Sequence, residues 1–304
     1  MRIFVTGASG FVGAAVVDDL LGAGHRVTGL VRTPQAAAQL AAKGAASVLG
    51  GLDDLDRLRA AAAEADAVVH TAFNHDFSRF AENAAQDRRA IDAIGETLAG
   101  SDRPFLVTSG LALLTSGPVA AETDPSIPPS AQYPRESEPA ADALRARGVR
   151  AAVVRLPPSV HGVGERGFVP TAMTIAREKG VSAFVGAGSN RWPAVHRLDA
   201  ARVYRLALED RAQAPKYHAV AEEGVPFREI AARIAQRLRV PMIGLSPEEA
   251  ATHFGWFATF AGLDAPASSA LTRERLGWTP VQPALLDDIA HPDYFAGVDR
   301  TAHR

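Results

Sequence analysis

Three glycines, Gly7, Gly10 and Gly13, stand at the head of the chain in the run Thr6-Gly7-Ala8-Ser9-Gly10-Phe11-Val12-Gly13. Their spacing suits a turn that holds a dinucleotide. Gly7 permits the tight turn, Gly10 lets backbone approach a pyrophosphate, and Gly13 lets a following helix pack close to a sheet. The helix start offers unpaired N–H groups to phosphate oxygens, which makes Ser9, Phe11 and Val12 contact candidates as well. A glycine trio can equally be a plain loop. Here it follows the apolar run Arg2-Ile3-Phe4-Val5 and precedes an apolar helical pattern, the context that dinucleotide binding requires. Further on, Thr28-Gly29-Leu30-Val31 ends in Arg32. An acid at this point would bind ribose hydroxyls and select NAD, whereas an arginine can pair with a 2′-phosphate. Arg32 therefore predicts NADP(H), against the alternative of a solvated surface arginine, with Thr33 and Gln35 as helpers. Leu52 packs either on adenine or in the core. Thr71-Ala72-Phe73 presents small residues and then a ring, which suits backbone passing close to the middle of the cofactor.

Strands must place these residues. Residues 3–5, 26–31, 46–49, 67–70, 105–108 and 150–155 read as strands, and 12–22, 34–43, 55–63, 79–99 and 140–147 as helices. That alternation predicts an α/β fold, a Rossmann-type doubly wound parallel sheet with a smaller C-terminal α/β substrate lobe. Ligands on such sheets bind at the carboxyl ends of the strands. In the second half, 162–167 is a glycine-rich loop, 171–179 a helix, 182–185 and 217–220 strands, and 227–239 an amphipathic helix. Asp199 is expected to cap a helix over 200–209, and Ser246-Pro247-Glu248-Glu249 reads as a helix start. The domains divide as 1–165 plus about 198–220 for the cofactor, and 166–197 with 221–304 for the substrate.

Composition narrows the function classes. The chain has 304 residues, 47% hydrophobic and 22% charged, with net charge -2, which argues against nucleic acid as a partner. Cysteine is absent, which removes disulfides, thiolate metal sites and a cysteine nucleophile. Scattered histidines give no metal-ligand spacing. No stretch approaches the ~20 apolar residues of a membrane span, and the chain begins directly in a strand. The expectation is a cytoplasmic protein.

The order of motifs resembles the extended short-chain dehydrogenase/reductase family, NAD-dependent epimerase/dehydratase-like, which includes sugar-nucleotide epimerases, dehydratases and dihydroflavonol-reductase-like ketone reductases. The resemblance rests on Thr6–Gly13, on Val69-His70-Thr71-Ala72 after the fourth strand, and on Phe105-Leu106-Val107-Thr108-Ser109 in the fifth. Val154-Arg155-Leu156-Pro157-Pro158-Ser159-Val160-His161-Gly162 and Leu276-Gly277-Trp278-Thr279-Pro280 extend it along nearly the whole chain.

The resemblance implies a Ser/Thr, Tyr and Lys set, with the lysine four residues after the tyrosine. Tyr133 lies at the tyrosine's place, and Ser137 stands where the lysine belongs. If a helix begins near Tyr133, as Pro134 suggests, the two share a face and Arg135 lies on another. A serine carries no charge to lower the phenol pKa, so a neutral tyrosine suits proton donation and carbonyl reduction. Alignment puts the family's acting serine at Gly110. Ser109, one position earlier, either polarises a carbonyl or bonds local backbone. Thr108 and Tyr133 are expected at the cofactor, with Pro157 and Val160 on its nicotinamide side. His161, in the family's usual tyrosine position, touches substrate or is structural. Asn74, His75 and Phe77 face the expected cleft, with Phe168, Trp192 and His196 from the second lobe. Each of these can instead be packing. The resulting expectation is an NADPH-dependent reductase of a small-molecule ketone or aldehyde. A sugar-nucleotide epimerase or dehydratase, or a non-catalytic NADP(H)-binding sensor, are the alternatives. The resemblance also implies a homodimer through the helices over 79–99 and 140–147.

Overall fold

The computed structural model describes residues 1–111, 118–131 and 133–295. Its strands are β1 Arg2–Thr6, β2 Arg26–Val31, β3 Ala46–Leu49, β4 Ala67–His70, β5 Phe105–Gly110, β6 Ala151–Leu156, β7 Ser159–His161, β8 Ser182–Val185, β9 Arg191–His196, β10 Lys216–His218, β11 Glu222–Pro226 and β12 Met242–Leu245. Seven of them form one sheet in the order β10-β6-β5-β4-β1-β2-β3, and every pairing in it is parallel. The helices α1 Phe11–Gly22, α2 Pro34–Ala42, α3 Leu55–Glu64, α4 Phe80–Leu98 and α5 Ser137–Ala146 cover its faces. This is the doubly wound α/β architecture that the alternating pattern predicts.

Side-chain alternation along β1 shows why both faces are needed. Ile3 and Val5 join a core with Val16 and Leu20 of α1, while Phe4 points to the other side among Ile91, Ile94, Phe105 and Leu144. All four residues of β4 are buried, as expected of a strand covered on both faces. Strand order reverses between β1 and its neighbours β2 and β4, so the crevice opens where β1 and β4 end, at Thr6 and His70.

A second core surrounds α6 Phe168–Lys179 and α8 Phe227–Leu238, after α7 Arg197–Glu209 has returned to pack on α1. It holds Met173, Phe184, Trp192, Phe227, Ile230, Phe257 and Tyr294. α9 Pro247–Phe254 begins in a full capping box, with Ser246 Oγ accepting from the Glu249 N–H and Glu249 reaching back to the Ser246 N–H. Asp199 does not cap its helix. α7 starts two residues before it, His196 Nδ1 accepts from the Leu198 N–H, and Asp199 accepts from the N–H groups of Val281 and Gln282 at 3.0 and 2.8 Å. α6 likewise begins at Phe168, because Pro170 is harmless in a first turn whose N–H groups have no intrahelical partner. Among the described residues no helix is long and apolar enough to cross a membrane.

Candidate active site

The glycine turn is built around close backbone approach. Gly7 has φ +69°, and a Cβ there would lie 2.8 Å from the Ala72 nitrogen and from Thr71 Oγ1. A Cβ on Gly13 would stand 2.1 Å from the Gly7 carbonyl oxygen. Both positions exclude any side chain. Gly10 caps α1 without a side chain, and the first turn carries no acid, so its N–H groups are free to meet an anion. This geometry fits a dinucleotide pyrophosphate. Ser9 is exposed beside the turn, while Phe11 and Val12 are half-buried. Thr71 Oγ1 donates to the Thr6 carbonyl at 2.7 Å, which fixes Thr71-Ala72-Phe73 against the turn. Arg32 is exposed at the end of β2, and Leu52 packs partly against the core beneath α3 and α4.

The reactive groups gather at the end of β5. Ser109, Gly110, Tyr133 and Arg135 line one small cleft with Ile127, Glu138 and Pro139. Ser109 hydrogen-bonds the Tyr133 phenol. Burial pushes that phenol above its ordinary pKa. Arg135 and the Ser109 bond pull it down, and the Glu138 and Asp87 carboxylates push it up. The Phe80 ring stands edge-on to two rings, Tyr133 at 6.0 Å and Phe73 at 6.2 Å.

Tyr133 and Ser137 do not share a helical face. α5 starts at Ser137, and Tyr133 lies in the preceding loop. Pro139 gives the reason. In a helix begun at Tyr133 it would cost an intrahelical hydrogen bond, whereas in one begun at Ser137 it falls among the orphan N–H positions. Arg135 is consequently not turned away. Its guanidinium carbon lies 4.3 Å from the Phe73 ring centroid, Nη2 donates to the Thr108 carbonyl at 3.1 Å, and Nε donates to Ser137 Oγ at 2.9 Å. Ser137 in turn donates to Asp87 at 2.5 Å. Asp87 lies 2.8 Å from His70 Nε2, and His70 Nδ1 lies 2.8 Å from Thr6 Oγ1. A polar chain thus runs from the glycine turn to the tyrosine cleft. Fully buried Arg155 grips Glu138 at 2.7 Å, which locks α5 to β6 and sets the loop before it.

Several sequence candidates lie elsewhere. The Thr108 hydroxyl is committed to the sheet, donating to the His70 carbonyl at 2.7 Å and lying 2.8 Å from the Tyr204 hydroxyl. His161 is fully buried, with Nδ1 2.6 Å from Asp288, and stands edge-on to His196 at 5.5 Å, so it is structural. Trp192 is also fully buried and donates to the Phe260 carbonyl. Phe168 packs on Trp192, Phe257 and Phe260, in the second lobe's core rather than at the tyrosine. A large apolar residue after a loop looks the same in sequence whether it faces a cleft or a core. Asn74 and His75 are exposed beyond β4. The surrounding protein and the Arg135 cation hold His75 below the ordinary histidine pKa. Pro157 is buried and Val160 half-buried after β6. Asp87, Phe80 and Glu138 escaped the sequence reading, His70 entered it only as part of a motif, and Arg135 was expected on another face. One signal existed: Asp87 interrupts the buried stripe Ala84, Ala90, Ile91 and Ile94 of α4, and a charge so placed demands a partner.

Comparison with known proteins agrees with the fold. Residues 3–221 match the model of the NAD dependent epimerase/dehydratase family. An uncharacterised protein of Schizosaccharomyces pombe is 49% identical over 296 residues, covering 97% of this chain and all 100% of that protein. The 4-hydroxy-2-methyl-3-oxo-4-farnesyl-3,4-dihydroquinoline-1-oxide ketoreductase of Stigmatella aurantiaca is 30% identical over 190 residues, 59% of this chain and 56% of that protein. The UDP-glucose 4-epimerase of Thermus thermophilus, solved with NAD, superposes with TM-score 0.74 at 20% identity over 98% of this chain and 99% of that one, a likeness of fold. The chain belongs to the NAD-dependent epimerase/dehydratase family of oxidoreductases.

Proposed function

We propose that this protein is an NADPH-dependent reductase of ketones or aldehydes. The observation that carries the reading is the Tyr133 phenol, held protonated by burial beside the Ser109 hydroxyl. When bound, the dinucleotide supplies a hydride. Tyr133 holds the proton that the nascent alkoxide needs, and Ser109 orients the carbonyl oxygen toward it. A sugar-nucleotide epimerase or dehydratase would want this tyrosine as a ready base, which its raised pKa opposes. The ring of Phe80 beside the tyrosine, with Phe73 packed on Phe80, favours an apolar or aryl substrate. The ketoreductase relative supports the same reaction class. The test is oxidation of NADPH and NADH against aryl ketones, aliphatic aldehydes and nucleotide-sugars. Turnover of aryl ketones is expected. Tight binding with no turnover on any carbonyl would instead favour a dinucleotide sensor.

Choice of NADPH rests on Arg32 at the end of β2. One charge-assisted hydrogen bond at an exposed site supports a preference of about tenfold. Arg32→Ala is expected to weaken NADPH about that much and to leave NADH unchanged, read by fluorescence titration of each. Equal weakening of both would show that Arg32 does not read the 2′-phosphate.

A further inference from the structure

We propose that Arg135 is the resident cation of this site, a positioning residue that sets the ionisation of Tyr133 and is itself aimed by the buried chain Ser137–Asp87–His70. The proposal rests on the reductase reading for its consequence in turnover, but its geometry stands apart from that reading. The resemblance placed a lysine at Ser137, and the serine cannot supply its charge. What the structure puts in the cleft with the phenol instead is Arg135, two residues earlier in sequence than Ser137.

Three contacts hold it. The Phe73 ring face takes the cation at 4.3 Å, the Thr108 carbonyl takes Nη2 at 3.1 Å, and Ser137 takes Nε at 2.9 Å. An exposed arginine free to wander would show no such set. Ser137 is the hinge of the arrangement. Its one hydroxyl accepts from Arg135 and donates to Asp87 at 2.5 Å. Asp87 is 1% exposed and shares its other oxygen with His70, also 1% exposed. A buried carboxylate cannot turn away from its partners without losing hydrogen bonds that burial makes costly, so the chain fixes the guanidinium from behind. Neighbouring Glu138 is occupied by Arg155, and Glu136 by Arg88 at 2.8 Å, so neither carboxylate is drawn onto Arg135. The exchange has a chemical consequence. A lysine near a buried site can lose its proton, whereas an arginine does not, so the help given to Tyr133 here is constant with pH.

The charged groups acting on the phenol are Arg135, Glu138 and Asp87, and the Arg135 charge acts on His75 as well. With the carboxylates left in place, removing the cation moves the phenol upward. The phenol is read by NMR of ¹³Cζ-labelled tyrosine in the protein without cofactor or substrate, Tyr133→Phe assigning the signal among the four tyrosines. Burial pushes the phenols of Tyr204, Tyr217 and Tyr294 up as well, so the Tyr133→Phe spectrum carries the assignment. Arg135→Gln is expected to raise the Tyr133 midpoint by at least about half a pH unit. Arg135→Lys is expected to keep it near the native value. In turnover, Arg135→Gln is expected to lower kcat about tenfold with little change in KM. Should R135Q not fold, R135M supplies an apolar side chain beside Phe73 and carries the same test. An unchanged midpoint in the neutral variant overturns the proposal. A shifted midpoint in a protein that reduces no carbonyl leaves it standing and overturns the reductase reading instead.

Discussion

Tyr133→Phe will reduce ketone turnover by about two to four orders of magnitude while dinucleotide affinity stays within about twofold. Among the described residues that line the cleft, the phenol is the proton donor beside Ser109, and phenylalanine removes that proton and nothing else of comparable size. The ring keeps its edge contact with Phe80, so the loop retains its packing. The glycine turn that receives the pyrophosphate is formed by Gly7, Gly10 and Gly13 against Thr71 and Ala72, and none of these touches the tyrosine hydroxyl. Binding and chemistry are therefore separable in this variant. Steady-state NADPH oxidation and fluorescence titration on the same preparation give both quantities. Undiminished turnover removes Tyr133 from the reaction. Equal loss of binding and turnover would mean that the tyrosine holds the cofactor rather than the proton. Ser109→Ala should cost less, because the phenol still supplies the proton after the second hydroxyl is gone.

What was legible in the sequence divides along a physical line. The glycine turn could be read because its constraint is local: a Cβ on Gly13 would meet the Gly7 carbonyl six residues away. The parallel sheet could be read because burial on both faces leaves apolar runs such as Ala67-Val68-Val69. The tyrosine cleft was readable as to its residue types but not its geometry. Placing Ser137 and Arg135 depended on where one helix starts, and Pro134 and Pro139 argue for different starts. His161 and Trp192 were misplaced for another reason. Their partners, Asp288 and the Phe260 carbonyl, lie 127 and 68 residues away, and no periodicity announces such pairs. The chain from Thr6 through His70 and Asp87 to Ser137 joins four separate elements, so it exists only once the sheet has formed.

The second lobe carries a separate consequence in its buried acid. Glu165 is 3% exposed, with one carboxyl oxygen taking the Tyr294 hydroxyl and the other without a hydrogen-bond partner among the described residues. Burial raises its pKa from 4.5 to about 8, against the pull of the Tyr294 and Val169 hydrogen bonds, and the Asp288 carboxylate adds to the rise. The folded protein thus holds a proton that the unfolded chain has released. Between pH 4.5 and about 8 the native state binds more protons than the unfolded one, so stability falls as pH rises through that window and levels off above it. Histidines act in the opposite sense at lower pH. Burial depresses His218 to about 4, so its contribution grows between about 4 and 6.5 and is then constant. The window from pH 7 to 9 therefore isolates the acid. Native protein is expected to lose about 1 to 2 kcal/mol of unfolding free energy across it. Glu165→Gln keeps an acceptor for Tyr294 and cannot ionise, so urea unfolding of this variant should show no such loss and greater stability than native at pH 9. Parallel curves for the two proteins would place the lost proton on another group.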